Sequence, residues 1–369
     1  MKPVRVGLTG SGFISDIHAA AIKMIPSEME VAAVASATPG KAAAFAKERG
    51  IPEAYTSIEE MLEKADVEAV TIGIPNDLHC QACETIAAAG KHVICEKPLA
   101  VTVEQGDRMI AACEEAGVLL CYAEELCFAP KYVRAKQLIT EGALGRPFLV
   151  KQAEEHDGPH MPWFWDVSRS GGGAMLDMGC HGLEYARYIF DKPKAARVWA
   201  SLATYVHREK TKGEDHSLMV VEFEDSGGLP QTAFVENSWA KLGGIDDRTE
   251  IYGSEGNTRA DLIRGSSLPT YSSTGYGYAA EKAGSTVGWT YAVFEEIWNY
   301  GFPQEFAHFA RAIRGEEELR ESGVDGREVL SILWAAYESA GTGRRVELPY
   351  TPPAGVGRPI ELWLGEGAL

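Results

Sequence analysis

Asp177 and His181 stand four residues apart behind the triplet Gly171-Gly172-Gly173. Residues at that spacing share one face of a helix, and the apolar run Ala174-Met175-Leu176 favours helix formation. A carboxylate beside an imidazole suits proton transfer, because histidine titrates near neutrality without perturbation. The same pair would serve equally as a buried ion pair tying a helix to a sheet. A second stretch is Cys95-Glu96-Lys97-Pro98, which confines a lysine between a strand end and a proline. A partly desolvated lysine has a lowered pKa and can polarise a carbonyl or relay a proton. Alternatively, Lys97 pairs with Glu96 and only closes the loop.

Both stretches need a scaffold, and residues 1–123 read as one. An apolar run at residues 4–8 is followed by Gly10-Ser11-Gly12-Phe13-Ile14-Ser15 and a helical pattern to about residue 25. Strand, glycine turn and helix in that order form the dinucleotide fingerprint, in which pyrophosphate approaches the helix N-terminus. Gly10, Gly12, Phe13 and Ile14 are therefore expected at the phosphates, with Ser15 as a small replacement for the third glycine. The acid that usually meets the adenosine ribose is absent after the second strand, where the chain reads Ser36-Ala37-Thr38-Pro39-Gly40-Lys41. Ser36, Thr38 and Lys41 could contact a 2′-phosphate, but no arginine is present, so NAD and NADP both stay open. Helices and strands then alternate to residue 122, which implies a parallel, doubly wound sheet. Such sheets bind ligands at the carboxyl ends of their strands. Pro75-Asn76-Asp77-Leu78-His79 and the Glu96-Lys97 stretch fall there, so Pro75, Asn76, His79, Glu96 and Lys97 are further candidate cofactor contacts.

After Tyr122 the pattern changes. A helix around 130–141 leads into longer alternating strands at 148–156, 196–206, 216–224, 231–239 and 247–253, with helices near 304–314 and 325–341. Residues 265–288, rich in Gly, Ser and Tyr, read as a long loop ordered by ligand or by a neighbouring subunit. Residues 124–369 are accordingly expected to form one substrate-binding and oligomerisation domain. Glu154-Glu155-His156-Asp157 and the following Trp163-Phe164-Trp165 pair polar groups with aromatic faces, as carbohydrate contacts do. His156 and Trp163 are candidate substrate contacts, with Tyr122 and Glu124 beside them; a hydrophobic lid or subunit contact is the other reading of this loop. His156, His160 and His181 show no enforced ligand spacing, and no metal is expected.

The totals narrow the function classes. The 369 residues suffice for two domains, and a formal net charge of -18 disfavours nucleic acid or an anionic membrane as partner. The start passes at once into a strand, so no signal peptide is expected, and seven cysteines without a framework spacing read as cytoplasmic thiols.

With Pro75-Asn76-x-x-His79, Gly90-Lys91-His92-Val93-x-x-Glu96-Lys97-Pro98-Leu99-Ala100, the Gly171–His181 segment and the run from Ala336 to Pro349, the sequence resembles the Gfo/Idh/MocA oxidoreductases. The resemblance covers essentially the whole chain. It implies an α/β protein: an N-terminal Rossmann dinucleotide-binding domain and a C-terminal α+β domain with a large, mostly antiparallel open sheet. The free face of that sheet commonly packs in homo-oligomers. It also implies that Lys97, Asp177 and His181 converge on the nicotinamide, and that Trp165 and Arg169 lie over the cofactor. Glu124 and Glu125 depart from the Asn and Arg that many relatives carry there.

On the chemistry, His181 is assigned as general acid/base, Asp177 as its orienting partner and a substrate acceptor, and Lys97 as the cation on the carbinol oxygen. Whether His181 or Lys97 takes the proton stays open. The expected activity is hydride transfer between NAD(P) and a secondary hydroxyl or ketone of a sugar, polyol or glycoside, including oxidation at C3 of a glycoside. An NAD-dependent glycosidase using transient oxidation and a non-catalytic cofactor-binding regulator are the alternatives. Relatives of the first kind typically lack the lysine that Lys97 supplies.

Overall fold

The computed structural model describes residues 2–224, 229–277, 285–293 and 295–365. The chain forms two compact units, the first of residues 1–129 and 301–328, the second of residues 130–300 and 329–369.

In the first unit, strands β1 (Val4–Thr9), β2 (Met29–Ala35), β3 (Glu53–Tyr55), β4 (Ala69–Ile72), β5 (His92–Glu96) and β6 (Leu120–Ala123) form a six-stranded sheet in the order β3-β2-β1-β4-β5-β6. Every pairing in it is parallel. The intervening helices are α1 (Phe13–Lys23), α2 (Lys41–Arg49), α3 (Ile58–Lys64), α4 (His79–Ala88) and α5 (Val103–Ala116). The near-continuous apolar strands are buried, as a sheet covered on both faces requires. Thr102 and Gln105 close a capping box at the start of α5, and Gly117 ends that helix in the left-handed conformation. All seven cysteines are reduced and buried, six of them in this unit.

The second unit starts with α6 (Pro130–Thr140) and β7 (Pro147–Glu155), then α7 (Val167–Ser170) and α8 (Ala174–Ile189). It continues through β8 (Ala195–Ala203), β9 (His216–Phe223), β10 (Gln231–Ser238), β11 (Asp246–Gly253) and β12 (Asn257–Asp261). A hairpin of β13 (Leu268–Ser272) and β14 (Gly288–Ala292) is followed by α9 (Glu296–Asn299). The chain then runs through α10 (Phe302–Ile313) and the start of α11 (Gly323–Thr342), both in the first unit, before the rest of α11, β15 (Val346–Glu347) and α12 (Ile360–Leu364) complete the second. The main sheet has the order β12-β11-β7-β10-β9-β8-β15, antiparallel except where β10 runs parallel to β7. Helix α8 packs across β7, β9 and β10. It is buried on nearly every side, so it has neighbours all round and no solvated face. On the side of the sheet away from α8, Trp199 is about two-fifths exposed, at 39%.

Two expectations change. Residues 301–328 were assigned to the C-terminal domain, and the structure groups them with the first unit. Helix α10 packs against α1, with the ring of Phe306 4.9 Å from that of His18, and Arg314 after its end pairs with Glu28. Its amphipathic pattern shows that one face is buried but not which sheet it covers. The boundary near 123 likewise moves to Ala129. Residues 265–288 are not a loop throughout: β13 and β14 pair antiparallel from Leu268↔Ala292 to Ser272↔Gly288, and residues 278–284 lie outside the described ones. Its alternating β-branched and aromatic residues are strand signals that the Gly and Ser content obscures. No described helix is long and apolar enough to cross a membrane.

Candidate functional site

The turn from β1 into α1 is built for close approach. Gly10 has φ +91°, and a Cβ there would lie 2.5 Å from the Gly73 carbonyl oxygen. Only glycine satisfies both conditions. Gly12 caps α1 without any side-chain bond, so the first-turn N–H groups keep their capacity for an anion. Ser15, in place of the third glycine, is buried and donates to the Thr9 carbonyl at 3.4 Å. An uncapped helix start behind a glycine turn fits a dinucleotide pyrophosphate. Phe13 and Ile14 open α1, with Phe13 37% exposed. At the end of β2 the Ser11 hydroxyl donates to that of Ser36 at 3.2 Å, while Thr38 and Lys41 are exposed.

The stretches after β4 and β5 are tied together by His79. It is fully buried, with Nε2 2.8 Å from the Ile74 carbonyl and Nδ1 3.1 Å from that of Pro98. Burial pulls its pKa below the usual value, against the carbonyl oxygens that face its nitrogens and favour the charged form. Both nitrogens face backbone, which makes His79 a brace between the two loops, with Pro75 and the buried Asn76 in the first. Glu96 accepts from His18 Nε2 at 2.7 Å and from the Lys97 amide at 3.2 Å. Burial pushes the Glu96 pKa up, but the His18 bond and charge, with Lys97, outweigh it and hold the group below the usual carboxylate value. The partner that fixes Glu96 is thus His18, which sequence spacing did not reveal. Tyr122 within β6 and Glu124 just after it are both fully buried. Glu305 on α10 is buried facing Glu125, Glu96, Glu124 and Glu321. Desolvation and their charges keep its carboxyl protonated well above the ordinary range.

In the second unit the glycine triplet is clasped by Glu214. Its Oε1 accepts from the Gly173 amide at 3.1 Å, the Met175 amide at 2.9 Å and the Tyr337 hydroxyl at 2.7 Å. Its backbone carbonyl accepts from the Ala174 amide at 3.0 Å. Burial pushes the Glu214 carboxyl up to about 7 against these bonds. Beyond the clasp, Asp177 and His181 follow on α8 as the spacing implied, both buried. Asp177 Oδ2 accepts from the indole of Trp239 at 3.2 Å. Trp239 packs with Ala174, Met178, Phe164 and Trp165.

The aromatic run joins this cluster. Trp163 stacks on Phe164 at 3.8 Å, and the Trp165 ring meets His207, Trp239 and the Lys210 ammonium. His156 is buried at the end of β7, its amide bonded to Ser238, and Arg169 lies half-buried in α7. The structure therefore gathers Asp177, His181, Trp163 and Trp165 in one unit and Gly10, Gly12, Ser36, His79, Glu96 and Lys97 in the other. Trp239, Glu214 and Asp247, which Tyr132 and Gln152 hold beneath α8, were not singled out from the sequence. Single acids and a lone tryptophan in alternating strands carry no spacing signal.

A six-stranded parallel sheet with a glycine turn, joined to a unit carrying a buried Asp/His helix, defines a dinucleotide-dependent oxidoreductase. The model of an oxidoreductase family with an NAD-binding Rossmann fold matches residues 4–124, and that of the GFO/IDH/MocA C-terminal domain matches residues 132–259. The chain belongs to the GFO/IDH/MocA family. It is 32% identical to D-xylose 1-dehydrogenase (NADP(+)) 2 of Haloferax volcanii, over 93% of this chain and 98% of that one. It is 28% identical to myo-inositol 2-dehydrogenase of Thermotoga maritima, over 94% and 98%. Among solved structures, GenD2 from gentamicin A biosynthesis in complex with NAD superposes with a TM-score of 0.86, at 29% identity over 95% of this chain and 97% of that one. The protein is an NAD(P)-dependent dehydrogenase of the class acting on sugar and polyol CH–OH groups.

Proposed function

We propose that this dehydrogenase oxidises a secondary hydroxyl of a sugar ring held in a glycoside, at C3. The carrying observation is the aromatic group of Trp163, Phe164, Trp165 and Trp239 joined to Asp177 through the indole bond. Aromatic faces stack on sugar rings, and a carboxylate beside them accepts from a ring hydroxyl. Similarity to a biosynthetic enzyme of an aminoglycoside supports the same reading. In it, His181 removes the hydroxyl proton, Asp177 accepts a neighbouring hydroxyl, and Lys97 supplies the positive charge that favours the alkoxide. The dinucleotide supplies the hydride acceptor, its pyrophosphate held by Gly10, Gly12 and the start of α1. The partly exposed face bearing Trp199 is where a second copy of the chain would pack.

The test is the rate of nicotinamide reduction with methyl glycosides set against free myo-inositol and xylose. A higher kcat/KM for the glycosides with a 3-keto product is expected. Turnover confined to free polyols overturns the glycoside reading.

Cofactor choice is testable at Ser36. A Ser36→Asp carboxylate would repel a 2′-phosphate. The ratio of kcat/KM for NADP over NAD should fall by about tenfold, which is about 1.4 kcal/mol. An unmoved ratio removes Ser36 from the adenosine end.

A further inference from the structure

Asp247 is a buried carboxyl outside the pairs assigned above. It is fully enclosed on β11, and its Oδ1 accepts from the Tyr132 hydroxyl at 2.7 Å and from Gln152 Nε2 at 3.2 Å. Its Oδ2, equally buried, has no hydrogen-bond partner. Helix α8 lies directly on this place, since a Cβ at Gly182, next to His181, would run into the Gln152 side chain. The titratable groups facing Asp247 are Tyr132 from α6, His181 from α8 and Asp261 from β12. Asp177, the other acid near His181 in sequence, accepts from the Trp239 indole through its Oδ2.

We propose that Asp247 is the carboxylate that sets the proton affinity of His181, a positioning residue acting through the imidazole. The proposal rests on the reading of His181 as the base. When the imidazole takes the proton of the substrate hydroxyl it becomes a cation, and the Asp247 carboxylate stabilises it through space; no bond between the two forms or breaks. Burial pushes the Asp247 pKa up to about 7 while the Tyr132 bond and the His181 charge pull it down. Two groups that titrate in one range and feel each other share their apparent pKa values. An opposite charge favours the charged form, so the carboxylate raises the His181 pKa and its removal lowers it.

The test is an NMR titration of the imidazole Cε1–H signals in the folded protein without substrate, the His181 signal being assigned from its loss in His181→Gln. Asp247→Asn, matched in shape, is expected to lower the His181 pKa by about one unit. Tyr132→Phe, which removes a donor favouring the Asp247 carboxylate, should move it in the same direction by less. The acidic limb of kcat against pH should shift down with the NMR value while the dinucleotide Kd holds. A folded Asp247→Asn variant with an unmoved His181 titration overturns the proposal; if that variant does not fold, an unmoved signal in Tyr132→Phe does so. Because the titration uses no substrate, it stands apart from the glycoside assay. A parent protein inactive on every sugar would sink the proposed function and leave this result in place.

Discussion

Lys97→Ala and His181→Ala are each expected to slow sugar oxidation by about 10²–10⁴-fold while leaving dinucleotide affinity near that of the parent protein. Lys97 follows the carboxyl end of β5, the edge at which doubly wound sheets present ligands, and its amide is bonded to the Glu96 carboxylate. Glu96 is bonded to His18 through Oε1, and its charge also feels that of Lys97. His181 is buried on α8 with 2% exposure, too enclosed for a solvated surface imidazole. Neither side chain is needed at the pyrophosphate turn, which is built from Gly10, Gly12 and backbone N–H groups. The split between lost turnover and retained binding is therefore the signature sought. Stopped-flow single turnovers following nicotinamide absorbance measure it. If both variants reduce the cofactor at the parent rate, the chemistry lies elsewhere and the Asp177/His181 pair is only a structural element of α8.

The second large effect belongs to Gly173→Ala. A methyl at this position would be driven into the Glu214 carbonyl oxygen and would sit 2.8 Å from the Glu214 amide nitrogen. Backbone on both sides leaves no rotamer by which the clash relaxes. Overpacking typically costs about 1–3 kcal/mol, and more where the neighbour cannot move. Gly277→Ala, whose added methyl meets nothing within 4 Å, is the control and should stay within about 0.5 kcal/mol of the parent. Beyond stability, the clash pushes α8 away from its clasp and carries Asp177 and His181 with it. A displacement of about 1 Å costs about 10²-fold in rate. Thermal melting and kcat on the same preparations should both fall for Gly173→Ala; a melt matching the Gly277→Ala control would show that the clasp tolerates a methyl.

Local pattern made much of this molecule legible. The alternation of apolar runs and helical segments up to residue 122 corresponds to a sheet whose strands are all parallel, because a strand buried on both faces reads as an uninterrupted apolar run. The five long strands beyond residue 147 showed through their period of two, visible in the buried and half-buried alternation of β9. What escaped was non-local. Helix α10 has an apolar face but nothing in its sequence says that His18 and Glu28 receive it. The hairpin of β13 and β14 was hidden by its glycines and serines. At the site, the i, i+4 spacing of Asp177 and His181 could be read directly, since both lie on one helix. Glu214, Trp239 and Asp247 are separated from α8 by long stretches of chain, and only the pairing of the sheet makes them neighbours.

The burial of every cysteine gives the protein a built-in clock. A thiol reacts with an alkylating agent only as an exposed thiolate, so in the closed state all seven are silent. Six of them belong to the unit with the parallel sheet, and the seventh, Cys180, lies on α8 with its thiol 3.1 Å from the Asp177 carbonyl. Labelling at Cys180 therefore counts the excursions in which the Asp/His helix leaves its sheet. Labelling at the other six counts openings of the dinucleotide unit, so mass spectrometry of one sample can time the breathing of the two units separately.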